Sequence, residues 1–374
     1  MDLQRLTVLE LAPAADELWE MDQDPQKGYL WHKDGAVVFP DVASGAKLRP
    51  RVTAAYASGK ATNIARVFDA FLRPQATTPL SRQAQKALAA DLVTFLPQQS
   101  DGYRRPEVPG PVLSQFTPGG AYMACLQARD LHAVDLHFAG LPPTGETQVD
   151  RRCANLRGSQ GGEMINFSPY LYWEPSCVEA VLHYLATASL GKVLGLAGSL
   201  PLVQSQPDPS LYASIISAAR AVNPQLLVSL DVGGAPLQAC LEAGPEARPD
   251  VVCVNADEYR AIPQDWRQRF TGVAVVHDRQ GCWILRGETS EVSLQRRPDV
   301  LTAPDAEVVH TICAGDAAHG GLLLGLMLYG TTPEGLVTAV RLSQACALTV
   351  VESEHSIRGL TAEAVERNLP RIRT

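Results

Sequence analysis

The sequence predicts an α/β fold in which a doubly wound, mainly parallel sheet is flanked by helices. The main observation is an alternation of elements: a strand ending in Gly198-Ser-Leu-Pro201 is followed by a helix over 210–222 and a strand over 226–231. Strands that alternate with helices at this spacing run parallel within one sheet. The 374 residues are 46% apolar and 19% charged, which suits one large buried core. We therefore expect a single domain over residues 1–374.

The N-terminal segment predicts a first strand over 6–11 that leads into a loop. Asp16 lies in this loop, and ligands in open α/β sheets collect at the carboxyl ends of strands. Asp16 is therefore a candidate ligand contact, although a lone aspartate at such a place more often caps a helix or lies in a solvated turn. Over 17–52, short alternating pieces are separated by Gly and Asp turns, which predicts hairpin strands.

A polar turn, Ser58-Gly59-Lys60, precedes a predicted helix. The apolar residues after it recur at helical spacing, at Ile64, Ala65, Val67 and Phe68. A glycine beside a lysine at a helix start can present backbone amides and a cation to a phosphate or a hydroxyl. A plain capped helix explains the same spacing.

Residues 73–110 are rich in Pro, Gln and Ser, with one helical patch over 81–95 and a basic end at 103–105. This composition predicts a surface insertion with its own helix, near the substrate side or at an oligomer interface.

Asn255 and Glu258 lie at a predicted strand-to-helix turn, after the apolar run 251–254. Two interpretations fit this spacing. Asn and Glu three residues apart form a capping box at a helix start. The same pair can share a cluster of waters around Mg²⁺, which prefers hard oxygen ligands and keeps its waters. Further along, 273–285 predicts two strands around a turn that contains Gly281.

A short polar turn from Thr311 leads to Asp316, and an apolar helix opens at Ala317. Backbone amides at a helix start have no acceptor within the helix, and the helix dipole favours negative charge there. Ala314 and Gly315 are small enough to let a phosphate approach the backbone closely. A carboxylate beside such amides is placed to take the proton of an attacking hydroxyl. A helix start followed by a buried helix is the simpler interpretation of this tripeptide alone.

The 311–316 segment resembles the C-terminal signature of the ribokinase/PfkB family of sugar kinases, Asp/Asn-Thr-Val/Thr-Gly-Ala-Gly-Asp followed by an apolar helix. Thr311, Ala314, Gly315 and Asp316 fit, while Cys313 stands where the family has a glycine. The resemblance implies a ribokinase-like fold, Asp316 as catalytic base, and an anion hole formed by the amides from Cys313 to Asp316.

Two further motifs resemble the sugar site of this family. Pro13-Ala-Ala-Asp16 is similar to Asn-Pro-Ala-x-Asp, whose aspartate holds sugar hydroxyls. Residues 58–66 are similar to the sugar-binding turn Gly-Gly-Lys-Gly-x-Asn-Val-Ala-Arg. This resemblance implies that Asp16, Gly59, Lys60 and Asn63 contact the substrate.

The nucleotide side is similar as well. Asn255-Ala-Asp-Glu258 matches the family motif Asn-x-x-Glu, which implies ATP and Mg²⁺, with Glu258 acting on the metal through water. Gly281 is the glycine retained from Thr-x-Gly-x-x-Gly, which lies beside the nucleotide in the family. The family also carries a β lid, which we expect over 17–52 and 140–168, and lids of this kind often pair into homodimers.

Several family positions are changed, and these leave alternatives open. The changed residues are Ser58, Ala61, Cys253, Val276, Asp278 and Cys313. A kinase-like protein that binds a sugar or nucleotide without phosphorylating it is one alternative, and a nucleoside kinase is another. The Gly-Ser-Leu-Pro and Pro-Ala-Ala-Asp segments favour the branch of 1-phosphofructokinase and tagatose-6-phosphate kinase.

Charge and cysteine usage exclude other classes of partner. The net charge is −8 and no block of Lys and Arg occurs, so neither nucleic acid nor a membrane surface is an expected partner. The eight cysteines have no metal-ligand spacing, which is typical of a reducing compartment. With the apolar segment 320–329 too short to span a bilayer, we expect a cytoplasmic protein whose partners are a small sugar or sugar phosphate and a nucleoside triphosphate.

Overall fold

The computed structural model describes residues 3–21, 31–33, 36–38, 51–97, 131–142, 152–158, 165–167, 170–278, 281–286, 306–309 and 311–373. His310, the basic segment 103–105 and the lid segment 143–151 lie outside these residues.

The strands and helices are numbered along the chain. The strands are β1 (Gln4–Glu10), β2 (Ala14–Met21), β3 (Trp31–Lys33), β4 (Ala36–Val38), β5 (Arg51–Ser58), β6 (Leu88–Pro97), β7 (Asp135–Leu141), β8 (Arg152–Gly158), β9 (Ile165–Phe167), β10 (Tyr172–Trp173), β11 (Val193–Ala197), β12 (Leu202–Val203), β13 (Gln206–Pro207), β14 (Leu227–Asp231), β15 (Val251–Asn255), β16 (Val273–Asp278) and β17 (Gly281–Arg286). The α-helices are α1 (Lys60–Leu72), α2 (Pro79–Ala87), α3 (Pro175–Thr187), α4 (Leu211–Val222), α5 (Gly234–Glu242), α6 (Ala256–Ala261), α7 (Gln264–Arg269), α8 (Ala314–Tyr329), α9 (Pro333–Val351) and α10 (Ala362–Asn368).

An eight-stranded sheet forms the centre of the fold, with strand order β17-β16-β15-β14-β11-β1-β6-β7. Every pairing in it is parallel except that of β16 with β17. The predicted doubly wound, mainly parallel sheet is confirmed. Because parallel strands end at the same edge, the segments that follow β1, β11, β14 and β15 all open on one side of the sheet.

Helices cover both faces of this sheet. Leu6 and Val8 of β1 face a core formed with α1, α8 and α9, whereas Leu9 belongs to a second core formed with α3, α4 and α5. This split follows from the two-residue period of a strand, which sends successive side chains to opposite faces.

Smaller sheets lie apart from the central one. One has the order β5-β2-β8-β9, and a two-stranded sheet pairs β3 with β4. A separate small sheet was expected over 17–52 and 140–168, and it is present, although β5 extends it to Ser58. Asp16 lies in β2, where its backbone pairs with Tyr56 and Cys153.

The predicted surface insertion over 73–110 is wrong for residues 79–97. The helix α2 ends at Ala87, and the next ten residues form β6, which pairs with β1 on one side and β7 on the other. Leu92 and Phe95 of this strand are buried. The error arose because a short apolar run has no period that separates a buried strand from a helix.

Helices α8 and α9 pack closely because α8 has glycines on the shared face. A Cβ added to Gly325 would lie 2.4 Å from the Cα of Ala339. By length and composition, α9 is the one helix in the described part of the chain that could cross a membrane. However, 61% of its most apolar window is buried within the protein, as in a core helix. This apolar stretch is longer than the segment 320–329 singled out from the sequence.

Candidate active site

The start of α8 carries the predicted base. Asp316 lies in the first turn of this helix and is 8% exposed. The chain enters the helix through Cys313, which adopts the left-handed backbone conformation (φ 59°, ψ 10°). The first intrahelical bond runs from the amide of Ala317 to the carbonyl of Cys313. Gly315, in the same first turn, therefore has no acceptor for its amide within the helix.

Asn63 on α1 contacts Asp316 directly. Its Nδ2 donates to Oδ2 of Asp316 at 2.7 Å, and it lies 3.4 Å from the Sγ of Cys313. The side chain of Arg66 donates to Oδ1 of Asn63 at 2.6 Å and to the carbonyl of Ala57. Because a guanidinium only donates, it fixes the amide of Asn63 with its NH₂ group toward Asp316. Asn63 was predicted as a substrate contact, and the structure adds that it orients the carboxylate.

Lys60 lies among three carboxylates at the same edge of the sheet. Its Nζ donates to Oδ1 of Asp231 at 2.9 Å. Burial disfavours the ammonium, but the negative charges of Asp231, Asp316 and Glu258 outweigh burial and raise the pKa of Lys60 above its ordinary value. Lys60 is therefore protonated, and its positive charge lies close to both the predicted base and Glu258 on the predicted nucleotide side. Its stem passes Gly198, where a Cβ would lie 3.4 Å from that of Lys60.

The N-terminus of α1 is already occupied by a buried carboxylate. Oε2 of Glu10, at the end of β1, accepts from the amide and the hydroxyl of Thr62 at 2.9 and 3.0 Å. Gly59 adopts φ 121°, and a Cβ there would lie 2.2 Å from the same Glu10 oxygen. The predicted presentation of α1 amides to a phosphate is therefore limited by Glu10. Gly59 is needed because its lack of a side chain admits this carboxylate.

Asn255 and Glu258 form a capping box at the start of α6. Oδ1 of Asn255 accepts from the amide of Glu258 at 2.9 Å, and Oε2 of Glu258 accepts from the amide of Asn255 at 2.9 Å. The capping interpretation is thus confirmed, and it leaves the other carboxylate oxygen of Glu258 outside the box. A Cβ at Gly233 would lie 2.5 Å from Cγ of Glu258, so the glycine after β14 makes room for this side chain.

His277, at the end of β16, was not identified from the sequence. Its Cε1 lies 3.8 Å from the position that a Cβ at Gly315 would take, and its backbone pairs with Asn255. Burial lowers the pKa of His277 despite the nearby carboxylates of Asp231 and Glu258. This imidazole therefore lies beside the helix start as a neutral group.

The last two predicted site residues, Gly281 and Asp16, have no described side-chain contact with Asp316 or Lys60. Gly281 begins β17 at the edge of the sheet, and its amide donates to Oδ1 of Asp278 at 3.2 Å. The backbone of Asp16 is in β2, and its side chain lies outside the described part of the structure.

Sequence and structure comparisons place the chain among known kinases. Residues 164–363, more than half of the chain, match the pfkB family of carbohydrate kinases. No curated protein matches the sequence.

Solved structures share the fold over nearly the whole chain. Escherichia coli phosphofructokinase-2 in complex with potassium is 17% identical, with a TM-score of 0.68 and coverage of 98% of this chain and 99% of that one. The same enzyme in complex with fructose-6-phosphate is 16% identical, with a TM-score of 0.64 and the same coverage. Methanocaldococcus jannaschii nucleoside kinase is 15% identical, with a TM-score of 0.58 and coverage of 99% of both chains. Together with the ribokinase-like sheet and the carboxylate at the start of α8, the match over 164–363 shows that this chain belongs to the pfkB family of carbohydrate kinases.

Proposed function

We propose that the protein transfers the γ-phosphate of ATP to a hydroxyl of a sugar or sugar phosphate, with Asp316 as the general base. The observation that carries this proposal is the hydrogen bond of 2.7 Å from Asn63 to Asp316 in the first turn of α8. It holds one oxygen of the carboxylate in a fixed direction beside amides that favour an anion.

The chemistry is an in-line transfer that relies on positioning and charge. Asp316 accepts the proton of the attacking hydroxyl as its oxygen bonds to the γ-phosphorus, while the bond from that phosphorus to the β–γ bridging oxygen breaks and ADP leaves. The amide of Gly315 donates to the transferring phosphoryl group, whose negative charge the helix dipole also favours. Lys60, kept protonated by its carboxylate neighbours, supplies a positive charge close to both groups.

Mg²⁺ fits the candidate nucleotide side through water. Glu258 uses Oε2 in its capping box, and its other oxygen suits a hydrogen bond to a metal-bound water. In the part of the chain that the structure describes, no group of three or more His, Cys, Asp or Glu side chains forms a dedicated metal site. When bound, Mg²⁺ would neutralise charge on the nucleotide phosphates.

A phosphorylated sugar is the acceptor class that we favour. The chain carries Gly198-Ser-Leu-Pro201 at the end of β11, and a similar fold binds fructose-6-phosphate in the Escherichia coli enzyme. A nucleoside kinase also shares the fold, so nucleosides are the second class to test. We further propose that the small sheet of β5, β2, β8 and β9 covers the acceptor and serves as the surface of a homodimer.

A screen of ATP consumption over free sugars, sugar phosphates and nucleosides tests this function. We expect turnover with at least one carbohydrate acceptor and loss of that turnover when EDTA removes divalent metal. The Asp316→Asn variant serves as the blank. A wild-type protein that consumes ATP with none of these acceptors, or only with nucleosides, contradicts the proposal.

A further inference from the structure

A buried histidine lies beneath the candidate site, on the same face of α8 as the base. His319 follows Asp316 by three residues, which places both on one side of the helix. It is fully buried in a helix that is otherwise mostly apolar. Its Nε2 lies 2.7 Å from Oγ of Ser229, which is also fully buried. Its Nδ1 lies 3.9 Å from Oδ2 of Asp231 and makes no hydrogen bond among the residues that the structure describes.

Burial and the nearby Asp231 carboxylate together determine the charge and the tautomer of the His319 imidazole. Burial lowers the pKa of His319 to about 4, although Asp231 opposes this shift, so the ring is neutral near pH 7 and carries one proton. If that proton were on Nε2, the lone pair of Nδ1 would face the Asp231 carboxylate. With Ser229 donating to Nε2 instead, Nδ1–H faces Asp231, which is the favourable arrangement. The Nδ1 proton is thus aimed at a carboxylate slightly beyond hydrogen-bond distance.

The same carboxylate holds Lys60 through its other oxygen. Asp231 is 4% exposed, so a change that removes Lys60 leaves a buried negative charge. Such a charge is costly unless another donor replaces the lost one. Among the side chains described around Asp231, His319 is the second that approaches it with an N–H.

We propose that His319 and Ser229 are positioning residues for phosphoryl transfer, which hold Asp231 in place while Lys60 turns from this carboxylate to the phosphate of the donor. As the ammonium of Lys60 turns away, the distance between Nδ1 of His319 and Asp231 shortens to that of a hydrogen bond, and no proton is transferred. This inference rests on the proposed function, because it assigns Lys60 a phosphate to contact. It explains why a polar side chain with an unpaired nitrogen occupies the core.

The double variant Ser229→Ala/His319→Leu tests this role. It replaces the buried polar pair with apolar groups, so the midpoint of thermal unfolding should stay equal or rise. Function should nevertheless fall: we expect kcat/KM about tenfold lower, and Kd for a non-hydrolysable ATP analogue about tenfold higher, as for a lost hydrogen bond to a charged group. His319→Asn, which keeps a donor and an acceptor, should restore both values to within about threefold of wild type.

A matched control removes another buried polar pair, far along the sequence from these residues. Asn368 donates to Oγ1 of Thr349 at 3.0 Å, and Thr349→Val/Asn368→Leu should leave kcat/KM and Kd unchanged. Unchanged kcat/KM and Kd in the Ser229→Ala/His319→Leu protein overturn the inference, as does an equal loss in His319→Asn. If the double variant shows no cooperative unfolding, Ser229→Ala alone decides. Because it removes the donor that sets the tautomer of His319, it must lower kcat/KM at temperatures well below its midpoint, and a wild-type kcat/KM overturns the inference. The midpoint itself should fall, because Nε2 is left buried without a partner.

The outcomes also separate this inference from the proposed function. A wild-type protein that binds the analogue but phosphorylates no acceptor contradicts the proposed function. The Kd values of the wild-type protein and of Ser229→Ala/His319→Leu for the analogue then decide the role of His319. A wild-type protein that binds no analogue overturns both.

Discussion

Cys313 has the backbone conformation that a glycine adopts without strain. A left-handed conformation costs an ordinary residue roughly 1–2 kcal/mol, because its Cβ approaches the carbonyl oxygen that follows. Cys313 has this conformation (φ 59°) at the point where the chain enters α8. The thiol also lies 3.4 Å from Nδ2 of Asn63, so it contacts the group that orients Asp316.

Replacing Cys313 tests whether the anion hole depends on backbone conformation alone. Cys313→Gly removes the strain but makes the unfolded chain more flexible, and these effects differ by no more than about 1 kcal/mol. We expect the free energy of unfolding and kcat to remain close to wild type. Cys313→Val places a β-branched residue at positive φ and should lower the free energy of unfolding by at least about 1 kcal/mol. Denaturant titration gives the free energy of unfolding of each variant, and a steady-state assay gives its kcat. A Val variant as stable as wild type, or a Gly variant with a tenfold lower kcat, would show that the thiol itself has a role.

At the scale of residues the sequence identified the proposed base but not the residues that hold it. Asp316, Lys60 and Asn63 could be chosen as candidates because each stands in a short motif. Glu10 and His319 could not, since their partners Thr62 and Asp231 are distant in sequence and lie on other elements. Asn255 and Glu258 show the reverse case. Their capping box is local, and spacing alone predicted it.

At the scale of elements, a buried polar contact joins the start of α1 to the end of β1, in addition to their shared apolar core. The Glu10 carboxylate fills the space over Gly59 and accepts from the first turn of α1. The dipole of a helix also favours a negative charge at its N-terminus. Since α1 carries both Lys60 and Asn63, this contact sets where two site residues stand relative to Asp316.

Gly59→Ala should therefore disturb both stability and activity. Gly234→Ala is a matched control, because Gly234 also has positive φ (64°) at the start of a helix but has no atom within 4 Å of an added Cβ. The control should lose about 1 kcal/mol of unfolding free energy from backbone strain alone. Gly59→Ala adds an overlap with Glu10 and a backbone conformation (φ 121°, ψ 146°) that is more restricted to glycine, and should lose about 3 kcal/mol, with a lower kcat. Thermal or denaturant unfolding compares the two. Equal losses in both variants would mean that Glu10 does not fix α1.

Helices and strands could be predicted from the sequence where turn residues mark both of their ends. The strand over 226–231 and the helix over 210–222 were found within one residue of their bounds, since the turns on each side mark where they begin and end. The β6 strand was mistaken for part of a helical insertion. Its apolar run is bounded by no glycine or proline on the side of α2, so only pairing with β1 and β7 reveals it.

For the whole molecule, the order of the strands brings the site together. β1, β11, β14, β15 and β16 are adjacent and parallel, so Glu10, Gly198, Asp231, Asn255 and His277 arrive at one edge. α8 then brings Asp316 to that edge from a distant part of the sequence. The alternation of elements in the sequence predicted this sheet, but not which residues would touch across it.

The turnover of Asp316→Asn is the sharpest test of Asp316 as the general base, because this change keeps the shape of the side chain and removes its ability to take a proton. Asp257→Asn is the control, since Asp257 is a 93% exposed side chain on α6. With the best acceptor found in the screen, we expect kcat of Asp316→Asn to fall by about 10²–10⁴-fold. Acceptor binding and the unfolding midpoint should stay near wild type, and Asp257→Asn should be fully active. A kcat of Asp316→Asn within tenfold of wild type would contradict the role of Asp316 as the general base.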